Sequence, residues 1–254
     1  MATLSVVLAT FNEEKNLSEC LQSVKDLADE IVIVDGGSKD QTVIIAKDFK
    51  AKVIETTNPA IFHINKQKAI DGATKDWILQ LDADERVSPE LAVEIKDKIG
   101  SSHINGYWIP RKNFFLGRFL KKGGQYPDYT LRLYKRGKGR LPQKSVHEQA
   151  EVQGEVGYLK NPLIHMADPQ FSRYLSRFDR YTNLIAKEYA DQKLAVNPLV
   201  TGNQMLILPL WWFFLSYVRH KGFVDSWQGF VFSFFSALRF PVSYVKYIKS
   251  RRIL

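Results

Sequence analysis

The chain of 254 residues is long enough to bury one sizeable core with a smaller appendage. Its 36 Lys and Arg against 27 Asp and Glu leave a net charge of +9, which favours polyanionic partners: nucleic acid, phosphorylated ligands or an anionic membrane surface. With 45% hydrophobic residues it reads as an ordinary globular protein, and its one cysteine, Cys20, excludes an internal disulfide and fits a reducing compartment.

The N-terminus MATLSVVLATFNEE lacks the basic n-region of a signal peptide. Its short, β-branched apolar run LSVVLAT predicts a buried first strand, followed by an amphipathic helix over EKNLSECLQSVKDL. IVIVD predicts a second strand, QTVIIAKDF a helix, KVIET a third strand, His63 to Ala73 a helix and WILQLD a fourth strand. In SPELAVEIKDKI, Ser88 is the expected N-cap and Pro89 the first helical residue. Strands alternating with helices imply βαβ units and a mostly parallel sheet covered on both faces.

After Gly100 the pattern changes. GYWIPRKNFFLG, DYTLRLYKR and SVHEQAEV predict strands separated by Gly- and Pro-containing turns. Between Arg111 and Lys144 eleven Lys and Arg surround one acid, Asp128. A helix is expected from Gln170 to Asp191, with Phe171, Tyr174, Leu175, Phe178, Tyr181 and Ile185 along one face. Residues 205–218 and 226–238 carry no charge, but spanning a bilayer takes roughly 20 apolar residues, and Pro209 interrupts the first run. From Thr201 onward seven Lys and Arg face one acid, Asp225. Aromatic, apolar helices with basic flanks suit a position in the headgroup region, the alternative being core helices or an oligomer interface. Three segments are therefore expected: a nucleotide-binding βα half over 1–100, an acceptor-side half over 101–195, and apolar membrane-surface helices over 196–254.

In an open parallel sheet, ligands bind outside the carboxyl ends of the strands. Three polar clusters fall there: Thr10-Phe11-Asn12-Glu13-Glu14, Asp35-Gly36-Gly37-Ser38-Lys39-Asp40 and Asp82-Ala83-Asp84-Glu85. Asn12 and Ser38 either cap the helices that follow or meet a ligand. Gly36-Gly37 is a tight turn or a close backbone approach, and is neither a dinucleotide fingerprint nor a P-loop. Three carboxylates within four positions repel one another unless they face water or a positive charge sits among them. A D-x-D directly after an apolar strand suits Mg²⁺ or Mn²⁺, which bridge a few carboxylates to substrate phosphates.

ATFNEE, VDGGSKD and LDADE, in this order and spacing, resemble the inverting family-2 glycosyltransferases of the GT-A fold. QYPDYTLRLYKR, SVHEQ, PLIHMAD and KGFVDSWQGF resemble one branch of it, the bacterial lipopolysaccharide-core β-1,4-glucosyltransferase-like enzymes. The resemblance implies that Thr10, Asn12 and Glu13 line the nucleotide pocket and that Asp35 contacts uracil or ribose. It puts Lys66 near the nucleotide, although Gln67 stands where the branch usually has Asn. It further implies that Asp82 faces ribose and metal, that Asp84 binds the metal, and that Glu148 in SVHEQ is the base that deprotonates the acceptor. Asp128 is the second candidate for that role, His165 a candidate metal or diphosphate contact, and Arg132 a phosphate contact or a structural residue.

The expected activity is transfer of a sugar, a hexose such as glucose, from a UDP-sugar to a cell-envelope glycan or glycolipid, on the inner face of the cytoplasmic membrane. A polyprenyl-phosphate acceptor is the alternative within the same fold. Specific nucleic-acid binding is not expected, because acids crowd the predicted crevice and no recognised motif is present.

Overall fold

The computed structural model describes residues 2–59, 61–101, 103–142 and 149–251. Two compact units form: one runs to Arg111 and takes up Asp128–His165, the other comprises Lys112–Pro127 and the chain from Met166 onward.

The first unit begins with the expected alternation: β1 (Leu4–Thr10), α1 (Glu14–Gln22), β2 (Glu30–Asp35), α2 (Thr42–Asp48), β3 (Lys52–Glu55), α3 (His63–Asp71) and β4 (Trp77–Leu81). β5 (Glu85–Val87) and α4 (Pro89–Ser101) follow, with the Leu91 amide bonded to Ser88 Oγ at 3.2 Å as an N-cap requires. Along the chain then come β6 (Gly106–Phe115), β7 (Arg118–Phe119), β8 (Asp128–Lys135), β9 (Gly139–Arg140), β10 (Glu151–Val152), β11 (Val156–Tyr158) and β12 (Leu163–Asp168), with β7 and the last residues of β6 and β12 belonging to the second unit.

The main sheet has the order β3-β2-β1-β4-β8-β6-β12-β5. β3, β2, β1 and β4 are parallel neighbours, and β8 and β6 continue the sheet antiparallel. This is the α/β fold the alternating pattern implied. β1 is apolar on both faces because both are covered: Leu4, Val6 and Leu8 pack with Leu17 and Leu21 of α1, whereas Val7 packs with Ala69 and Ile70 of α3. Each such side chain, fully buried, stabilises the fold by about 1.5–3 kcal/mol. The chain leaves β1 towards β2 and β3 on one side and returns to β4 on the other. The carboxyl ends of β1 and β4 therefore flank the point where the strand order reverses, the usual place for a ligand crevice.

One local expectation needs correction, and a second is described only in part. The first helix stops at Gln22 rather than reaching Leu27, because Ser23 Oγ bonds to the Cys20 carbonyl at 2.6 Å and the next amides reach back only three residues. The strand expected over SVHEQAEV is observed only as Glu151–Val152; residues 143–148, with Glu148, lie outside the described residues.

In the second unit α5 (Phe171–Asp191) forms as expected, but its apolar stripe is only partly covered. Tyr174, Thr182 and Ala186 are buried, whereas Phe171, Leu175 and Tyr181 are exposed. Pro209 does not end the helix that contains it. Pro198–Arg219 is one apolar helix of 22 residues, long and apolar enough by composition to cross a membrane. A π-helical stretch, Asn203–Ile207, precedes the proline and reshuffles the backbone bonding where its missing N–H falls. Leu206, Ile207, Leu210 and Trp211 on this helix are all more than half exposed. The C-terminal helix, Ser226–Arg251, contains Pro241 and buries Tyr244 and Tyr247.

Candidate active site

The loop after β1 and the loop after β2 are tied together by polar side chains. Asp35, at the end of β2, is 1% exposed, and its carboxylate is fully engaged. Oδ1 accepts from the amides of Gly37 and Ser38, and Oδ2 accepts from Ser38 Oγ at 2.6 Å and Thr10 Oγ1 at 3.0 Å. Gly37 adopts φ +86°, where a side chain is strained, and a Cβ on Gly36 would sit 3.1 Å from Asn58 Cβ. The glycine pair is therefore both a turn and a close approach. Asn12 takes φ +55°, which Asn tolerates better than most residues. Its amide donates to Ser38 Oγ and its Oδ1 accepts from the Lys39 amide, so it bridges loops rather than capping α1. Glu13 is the N-cap residue of α1; its amide donates to Thr42 Oγ1 at 2.7 Å and its carboxylate accepts from Asn16.

At the carboxyl end of β4 the acidic run meets the positive charge it requires, and the charge belongs to the protein. β8 lies antiparallel to β4 with Leu133 opposite Leu79, which brings Arg132 to Asp82 and Glu85. Arg132 donates to Asp82 Oδ2 at 2.6 Å and to Glu85 Oε1 at 3.1 Å, while Lys66 of α3 pairs with Asp82 Oδ1. Arg111 reaches Glu85 at 3.5 Å and clasps Asp128 Oδ2 with two N–H donors, at 2.9 and 2.7 Å. Burial alone would raise the pKa of Asp82, but Arg132 and Lys66 hold it far below the ordinary carboxylate range. Burial lowers the Lys66 pKa, with Asp82 opposing and Arg132 adding to the shift. Burial likewise works against the Arg132 charge, yet Asp82 and Glu85 raise its pKa. Arg132 Nε is buried without a hydrogen-bond partner.

Glu85 also fixes the local turn. It is 0% exposed, its Oε2 accepts from the Asp82 amide at 2.9 Å, and its own amide donates to the Asp82 carbonyl. Beneath it Cys20 is fully buried, with Sγ 3.6 Å from the Asp82 carbonyl; burial pushes its thiol well above the ordinary range, which makes it an inert packing residue.

Asp84 points elsewhere. β12 pairs with β5 so that His165 lies opposite Glu85, and His165 Nε2 sits 3.6 Å from Asp84 Oδ2. No group of three or more His, Cys, Asp or Glu arranged to hold an ion occurs among the described residues. One carboxylate and one imidazole still fit Mg²⁺ or Mn²⁺, which keep several waters and take phosphate oxygens as further ligands. Asp82, neutralised by two protein cations, is the less available donor. Gln67 turns away from this cluster: its Nε2 donates to Asp71 and its Oε1 accepts from the Leu141 amide at 2.7 Å.

Residues 5–152, more than half of the chain, match the family described as Glycosyl transferase family 2. The chain belongs to this family. It is similar to the lipopolysaccharide core biosynthesis glycosyltransferase LpsC of Rhizobium meliloti, at 28% identity over 93% of this chain and 91% of that one. An uncharacterised glycosyltransferase of Rickettsia felis is 25% identical over all of this chain and 94% of its own length. Among solved structures, residues 1–349 of S. aureus TarS in complex with UDP share 19% identity and a TM-score of 0.51, covering 88% of this chain and 75% of that one. The likeness to TarS establishes the GT-A fold.

For this glycosyltransferase, Thr10, Asn12, Glu13 and Asp35 form one interlocked group, and Lys66, Asp82, Glu85, Arg132, Arg111 and Asp128 another. The parts of Glu85 and Arg111 were missed by reasoning from sequence. Three carboxylates in four positions called for either water or positive charge among them, and the strand pairing that supplies protein cations is not local.

Proposed function

We propose that this glycosyltransferase moves a hexose from a UDP-sugar to a cell-envelope glycan or glycolipid acceptor at the cytoplasmic face of the membrane. The observation that carries the reading is the family's acidic motif standing at the strand-order reversal, with Asp84 facing His165 and Asp82 clamped by Lys66 and Arg132. The UDP complex of TarS supports the donor, the name of LpsC supports an envelope acceptor, and the exposed apolar helix supports a membrane surface.

Asp84 and His165 would hold the Mg²⁺ or Mn²⁺ ion, which when bound neutralises the diphosphate leaving group. Asp82, kept ionised by its two cations, is a fixed acceptor for ribose hydroxyls, and Lys66 adds positive charge near the diphosphate. The interlocked loops carrying Thr10, Asn12, Glu13 and Asp35 set the nucleotide pocket without a conformational search. The acceptor oxygen attacks the anomeric carbon, the bond to the diphosphate oxygen breaks, and the hydroxyl proton passes to Glu148. That assignment rests on the SVHEQ resemblance; the pairing of Asp128 with Arg111 occupies an oxygen a base would use, which favours Glu148.

Transfer from radiolabelled UDP-hexoses, offered envelope glycolipid and polyprenyl phosphate separately, tests the reading. Labelled glycolipid is the expected product. Labelled polyprenyl phosphate alone would move the acceptor to the second candidate, and no transfer from any UDP-sugar would overturn the donor.

A further inference from the structure

The second unit contains a cation that the reaction does not use. Arg239, on the C-terminal helix, lines a cavity of about 230 Å³ together with Trp212, His220, Gln125, Ser236 and Gly123. Its guanidinium stacks 4.4 Å from the Trp212 ring centroid and 4.8 Å from that of Phe240. Stacking occupies the face of the group and none of its five N–H donors. No ion pair or hydrogen bond to Arg239 occurs among the described residues. Among the acids of the same unit, Asp225 pairs with Arg118 and accepts from the amides of Lys121 and Lys122, Asp179 pairs with Lys246, and Asp168 with Arg177.

A half-buried guanidinium without an anion is costly, and its planar fork matches a phosphate with two parallel N–H bonds. The cavity holds several times the roughly 30 Å³ of one water. Two segments that line it carry further charge: Lys121 and Lys122 precede Gly123, and Arg219 and Lys221 flank His220, all four exposed. The Gly123 amide donates to the His220 carbonyl at 2.9 Å, which joins the two segments. Large apolar side chains of the same unit stand exposed, among them Trp211, Phe214, Phe223 and Trp227. A basic collar amid exposed aromatics is the composition of a surface that sits at the headgroup level of a bilayer.

We propose that this cavity binds the phosphate group of a membrane lipid, with Arg239 as its recognising cation and the collar of lysines and Arg219 drawing the anionic surface towards it. The inference deepens the membrane-surface part of the proposed function and rests on it. It adds a lipid-phosphate site separate from the residues that handle the donor.

Co-flotation of the full chain with vesicles tests it. The vesicles are phosphatidylcholine alone, phosphatidylcholine with phosphatidate, and phosphatidylcholine made anionic with oleate, which brings charge without an added phosphate. The wild type is expected to prefer phosphatidate vesicles. Arg239→Gln should lose about tenfold of that preference, the size of one charge-assisted contact, with UDP binding unchanged. Ser236→Asp places a carboxylate one turn from Arg239, fills the site from within, and should cause the same loss.

If both variants float like the wild type on every vesicle, Arg239 only stacks and the site is refuted, while the membrane-surface reading stands. Equal wild-type binding to oleate and phosphatidate vesicles likewise refutes phosphate recognition. If inorganic phosphate binds the wild type but not Arg239→Gln and no vesicle preference exists, the ligand is a soluble phosphate and the lipid assignment falls. A wild type that floats on no vesicle removes the membrane-surface reading and this inference with it.

Discussion

Replacing Arg132 by Met removes the cation that holds Asp82 and Glu85 together. Arg132 makes contacts of 2.6 and 3.1 Å to these two carboxylates, and Glu85 has no exposed surface to rehydrate. Removing one member of a buried charge pair typically costs 3–5 kcal/mol. Lys66 and Arg111 remain, and the Asp82 side chain keeps 28% of its surface, so the loss belongs at the lower end, about 3 kcal/mol. Urea unfolding followed by circular dichroism measures it, with the slope unchanged if the folded state is otherwise intact. The pH dependence gives a second check. The folded pKa of Asp82 is depressed, so the stability it contributes is present above the ordinary unfolded value and is lost as pH falls towards the depressed one. In the variant, burial of Asp82 meets less compensation and this carboxylate protonates at a higher pH. The gap between wild type and variant should therefore be widest at neutral pH and narrow below about pH 4. A loss under about 1 kcal/mol, or a larger loss that does not change with pH, would show that Arg132 acts only by packing.

Three further outcomes follow from the same structure. Thr10→Val keeps the shape of a buried residue but removes the donor to Asp35 Oδ2; it should cost about 1 kcal/mol in urea unfolding and weaken UDP binding by loosening the β2 loop. Glu148→Gln should lower kcat by about 10²- to 10⁴-fold while leaving UDP affinity near that of the wild type, and near-normal turnover would transfer the base role to another group. Leu210→Glu with Trp211→Glu places charge on an exposed apolar face, so vesicle flotation should fall without a change in thermal midpoint; retained flotation would locate membrane contact elsewhere.

The parallel core was legible because its signals are local. Each of β1, β2 and β4 is a short apolar run closed by polar residues, and the polar clusters marked the strand ends where the loops meet. Ser88 and Pro89 marked the start of α4 for the same reason. What the sequence withheld depends on pairing across distance. Nothing near Glu85 announces that Arg132, 47 positions later, is its partner; the antiparallel addition of β8 to β4 decides it. His165 was a candidate metal or diphosphate contact, and only the register of β12 against β5 brings it to Asp84. Pro209 misled in the opposite sense. A single residue suggested a break, but π-helical bonding on its N-terminal side carries the helix through.

The proposed nucleotide site is completed by a divalent ion at Asp84 and His165. Calorimetric titration of UDP into the full chain, with and without Mn²⁺, repeated on Asp84→Asn, tests it most directly. Mn²⁺ is expected to strengthen UDP binding, and Asp84→Asn to weaken it to the metal-free level. UDP affinity that is the same with and without Mn²⁺ in both proteins would contradict the metal assignment, and no UDP binding in any condition would contradict the donor site itself.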